Sequence, residues 1–113
     1  MKVPIQLTQG SVEGEILRLS AMLEEATEQL AKAMEEEASA EVDYRIAEAR
    51  ARLKSTAKSV EDRKCAALVE CEAWYTCYVK AEAKREALAE TCRTLRARLD
   101  ALRTLSANLR GQT

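Results

Sequence analysis

The stretch KSTAKSVEDRK, residues 54–64, decides how the rest of the chain folds. No glycine lies between Gly14 and Gly111 and no proline follows Pro4, so no residue from 15 to 110 forbids helix. Continuous helix over that length would reach roughly 140 Å at 1.5 Å per residue, too long for a small globular unit. Within 54–64, Ser55, Thr56 and Ser59 crowd together, and Ser59 stands just before Glu61 and Asp62, the pattern of an N-cap and an acidic first turn. A turn is expected at about 55–59, between a helix at about 12–54 and a helix at about 60–110, after an extended N-terminal arm at 1–10. Ser39 in EEEASAEVD, residues 35–43, offers another cap, with no turn residue beside it.

The composition agrees with helix. Charged residues make up 33% of the 113-residue chain, aromatics 4%, and Phe is absent, while Ala, Glu, Arg and Leu dominate. That balance belongs to long helices and coiled coils rather than sheets, and the length to one domain. In the first helix the apolar spacing follows a heptad through Ile16, Leu19, Leu23, Ala26, Leu30, Ala33, Ala40, Tyr44, Ala47 and Ala51, broken by Glu37 and Lys54. In the second, the d positions Val60, Ala67, Trp74, Ala81, Leu88, Leu95, Leu102 and Leu109 are all apolar. The a positions are mixed: Lys64, Cys71, Tyr78, Arg85, Cys92, Leu99 and Ser106. Lys64 and Arg85 are polar interruptions that can fix register or bind something. The expected fold is all-α, a long helical hairpin with heptad seams. Its thin, alanine-rich core calls for assembly into an oligomeric bundle or ring.

Catalytic and metal chemistry find little footing. With no histidine, the usual general base is missing, and the carboxylates are scattered along helices. Cys65, Cys71 and Cys77 are six residues apart, on three faces of a helix, and no CxxC pair exists. Cys71 and Cys92 read as small seam hydrophobes, with Trp74 and Tyr78 as bulky core residues and Tyr75 at the edge of the seam. The expectation is a non-enzymatic protein without metal or cofactor. Four cysteines with no export signal in MKVPIQLTQG suggest reduced thiols and a cytoplasmic location, and no run approaches the ~18 apolar residues of a membrane span.

Charge is where the sequence becomes specific. Residues 11–43 carry ten acids against Arg18 and Lys32, a net −8. Residues 44–64 carry Arg45, Arg50, Arg52, Lys54, Lys58, Arg63 and Lys64 against Glu48, Glu61 and Asp62, a net +4. Arg50, Lys54 and Lys58 follow at i, i+4 and i+8, one stripe if the helix runs that far, and Arg45 and Arg52 lie seven apart on another. Such a segment can follow a phosphate backbone, or it can pair with the acidic helix of a neighbour. Arg96, Arg103 and Arg110 sit at e positions beside the leucine row and fit helix-to-helix contacts.

Taken in order, a charged helix, YRIAEARARLK, a Tyr/Trp-containing helix and LDALRTLSANLR resemble the small phage recombination mediators of the UvsY type over roughly residues 20–110. The resemblance implies a non-enzymatic accessory factor of homologous recombination. It would bind single-stranded DNA, assemble into rings and help a recombinase displace single-strand-binding protein in a phage-infected bacterium. It places Arg45, Arg50, Arg52, Lys54 and Lys58 against DNA, with Arg63 and Lys64 closing the same basic segment. It also assigns the homo-oligomer contacts to the heptad of Leu88, Leu95, Leu99, Leu102 and Leu109. The residues alone leave two rivals: a structural coiled-coil protein of virion assembly or scaffolding, and a helical adaptor or inhibitor of one protein partner.

Overall fold

The structure, a computed structural model, describes residues 8–111. Among them are three helices and no strand: α1 (Gln9–Lys54), α2 (Val60–Glu70) and α3 (Glu72–Gly111). The chain is all-α. Most of the arm expected at 1–10 lies outside the described residues, but Gln9 and Gly10 are already helical. Helix α1 starts early because Thr8 caps it. The Ser11 N–H donates to Thr8 Oγ1 at 3.1 Å and the Thr8 N–H donates to Ser11 Oγ at 3.0 Å, a capping box with serine in the usual glutamate's place. The helix then runs through Ser39 without a break.

Hydroxyl groups make the turn. Arg52 and Lys54 end α1 with cations against its C-terminal dipole. The Ser55 N–H donates to the Arg52 carbonyl at 3.3 Å, and Ser55 Oγ accepts from the Ala57 N–H at 3.2 Å. Ser59, in extended conformation, accepts from the Asp62 N–H at 3.0 Å and so caps α2, whose first turn carries Glu61 and Asp62. Arg63 Nε reaches back to the Ala57 carbonyl at 2.8 Å. No described residue has a positive φ, so the absence of glycine here costs nothing.

The second helix is not continuous as expected. Cys71 (φ −97°, ψ 17°) separates α2 from α3. The Cys71 N–H still donates to the Ala67 carbonyl at 2.9 Å, and the Tyr75 N–H to the Cys71 carbonyl at 2.9 Å. These two bonds span the interruption, and neither Gly nor Pro marks the place.

The residues group into two compact units. Leu30–Ala87 forms one, in which the C-terminal part of α1 lies antiparallel to α2 and the start of α3. Its core is Tyr44, Ala51, Ala67 and Cys71, with Ala47 and Tyr78 packed against it. The Tyr44 ring meets Tyr75 edge-on at 5.2 Å and stacks with Tyr78 at 6.0 Å. The polar residues that interrupt the two heptads, Glu37 and Arg85, meet here at 2.5 Å, beside Lys84 and Glu36 at 3.1 Å. The described residues up to Gln29 and those from Leu88 onward form the other unit, with Val12, Leu19, Ala26, Cys92, Leu95, Leu99 and Ser106 buried. Gln9 Nε2 donates to Ser106 Oγ there at 2.8 Å.

The depth of the seam departs from the heptad reading. Along the second strand of helix the mixed a row is the deeper one: Cys71, Cys92, Leu99 and Ser106 are buried, and Tyr78 and Arg85 are half-buried between them. In the apolar d row only Ala67 and Leu95 are buried, and Val60 and Trp74 are exposed. In a two-helix pair the line of closest approach admits small side chains, and α1 presents alanines at 26, 33 and 51. Val60 and Trp74 are the d residues left on the flanks.

Candidate nucleic-acid interface

The seven cations expected to meet DNA all lie in Leu30–Ala87, at the end of α1, in the turn and in α2, but they are not equivalent. Three are engaged by the protein. Glu48 holds Arg52 at 2.6 Å and Arg45 at 3.9 Å, being four residues before one and three after the other. The Arg45 guanidinium also lies 5.5 Å from the Tyr44 ring centre. Arg63 is tied to the turn through the Ala57 carbonyl. Glu48 thus pairs with both members of the second cationic stripe and offsets one of their two charges.

Arg50, Lys54, Lys58 and Lys64 are exposed, and no ion pair forms on any of them among the described residues. The first stripe stops at Lys54, where α1 ends, and Lys58 falls in the turn expected at 55–59. Arg50 and Lys54 border a groove of about 410 Å³, with Ala47, Ala51 and Cys71 at its base and Asp43 and Ile46 further along α1. Glu70 and Trp74 border it from α2 and α3. Trp74 retains 49% of its surface, so the core role expected of it is not the one it takes. A second groove of about 430 Å³ is formed by Ala49, Arg52, Leu53, Val60 and Arg63. Leu53 is 88% and Val60 69% exposed.

Glu48 has a further partner. Tyr44 hydrogen-bonds to its carboxylate, and this bond together with burial pushes the phenol pKa up to about 12. Burial also raises the Cys71 thiol, leaving it protonated and inert, whereas Cys65 and Cys77 are exposed. Among the described residues no three His, Cys, Asp or Glu side chains gather as a metal site would require.

Of the leucines expected to join subunits, Leu95 and Leu99 are buried within the chain itself, while Leu88, Leu102 and Leu109 are half-buried. Arg103 pairs with Asp100 at 3.6 Å on its own helix. No described helix is long and apolar enough to cross a membrane. No protein-family model matches the chain, and no curated protein or solved structure gives a significant match.

Proposed function

We propose that the chain is a non-enzymatic single-stranded DNA-binding protein that acts as a recombination mediator, helping a recombinase replace single-strand-binding protein on DNA. The observation that carries the DNA part is the set of unpaired, exposed cations Arg50, Lys54, Lys58 and Lys64 in one compact unit. The mediator part rests on the likeness of YRIAEARARLK and LDALRTLSANLR to the phage mediators. Each subunit offers only a short basic strip, and a homo-oligomer would multiply such strips through effective concentration.

Phosphate contacts release counterions, so affinity must fall with salt, at about 0.7 in logarithmic slope per contact on single strands. If those four cations each meet a phosphate, the slope is about −3 per subunit. Replacing Arg50 and Lys54 with Ala should reduce it by about 1.4, with helicity unchanged. Mobility shifts with a single-stranded oligonucleotide at several salt concentrations test this. Absence of binding at low salt would sink the reading.

The second reading, a structural coiled-coil component, draws support from the exposure of Leu53 and Val60. It holds that the basic segment pairs with the acidic stretch of another copy, and it predicts salt-sensitive self-association with no affinity for DNA.

A further inference from the structure

We infer that the groove beside Trp74 is a base-stacking site for single-stranded nucleic acid, with the indole as platform and Arg50 and Lys54 as anchors for the adjoining phosphates. The inference rests on the DNA-binding reading and adds what that reading lacks, a contact to the bases. Trp74 is the single tryptophan of the chain, at a heptad position that favours burial, yet about half of its surface is exposed. Ile46, also exposed, extends the apolar surface of the same groove. Tyr75 is exposed as well, but its ring is held edge-on against Tyr44, which leaves Trp74 as the uncommitted aromatic.

The groove combines the two things an unpaired nucleotide needs, an aromatic face and cations with no partner of their own. Arg50 and Lys54 stand one helical turn apart on the wall contributed by α1. Asp43 and Glu70, which also line it, repel phosphate and leave the strand's backbone to the two cations, while their carboxylates can accept from base amino groups. A duplex keeps its bases stacked inside and gains only the cations, so the site favours single strands. A peptide with an exposed aromatic is the competing occupant, and a groove built for it would leave the Trp74 emission unchanged by oligo(dT).

The lone tryptophan makes the experiment direct. Its emission is followed on titration with oligo(dT) and with an abasic oligomer of equal length, alongside mobility shifts and circular dichroism of wild type, Trp74→Ala and Trp74→Phe. Expected are quenching by oligo(dT) but not by the abasic strand, an affinity loss of about 5- to 150-fold in Trp74→Ala, and a smaller loss in Trp74→Phe. If oligo(dT) binds without changing the emission, or Trp74→Ala binds like wild type, stacking is overturned while DNA binding stands. If neither oligomer binds, the DNA-binding reading falls and the stacking site with it.

Discussion

At the scale of single residues, the pairing of Glu37 with Arg85 gives meaning to two apparent faults. Each interrupts an apolar heptad, and together they form a half-buried ion pair whose hydrogen bond holds the guanidinium pKa above its usual value. A slip of one heptad would leave both charges on the seam without each other. This is how polar seam residues specify register. Tyr44 yields a quantitative expectation. Its folded pKa of about 12 lies above the ordinary value of about 10, so the folded state binds the phenolic proton more tightly than the unfolded chain. The associated stability is complete below about pH 10 and is lost as pH rises toward 12. Helicity followed by circular dichroism should therefore fall more steeply over that range in wild type than in Tyr44→Phe. Coincident alkaline profiles would refute the assignment.

At the scale of elements, the junction between α1 and α2 was the most legible part of the chain. The turn occupies 55–59, the residues singled out by the hydroxyl cluster, because caps and turns are built from neighbours in sequence. Replacing Ser59 with Ala removes an exposed cap and should cost about 1 kcal/mol of stability in thermal or denaturant melts, with Ser59→Gly costing less. A full kilocalorie from Ser55→Ala and none from Ser59→Ala would show that the cap is not what starts α2. The interruption at Cys71 was illegible, since no helix-breaking residue stands there. The depth of each heptad row was illegible for another reason. Periodicity locates an apolar face, but which row lies on the line of closest approach depends on side-chain volumes across the pair. Ala51 of α1 is packed in the core with Ala67 and Cys71, and Trp74 is left on the flank.

On the scale of the whole molecule, the charge asymmetry of the sequence is only partly resolved inside the chain. Glu36 and Glu37 find Lys84 and Arg85, while Glu48 takes Arg45 and Arg52. The cations left over define the candidate site, and sequence alone could not separate them from the engaged ones, because that distinction depends on which carboxylates come within reach. Trp74 was missed for the same kind of reason. Apolar surface is left over too, at Leu53 and Val60. Burying a large aliphatic side chain is worth about 1.5–3 kcal/mol, enough for a few such contacts to drive assembly. Sedimentation velocity should show an oligomer at micromolar concentration, and Leu53→Gln with Val60→Gln should shift it toward smaller species. A monomer in wild type would leave these side chains without a role in self-association.

The junction at 55–59 has a consequence in evolutionary terms. Because no described residue depends on a positive φ, the reversal of chain direction places no demand for glycine or any other single residue type on its backbone. It is held by hydrogen bonds that serine supplies and that threonine, aspartate or asparagine could supply as well. Such a junction can accumulate substitutions while its geometry persists.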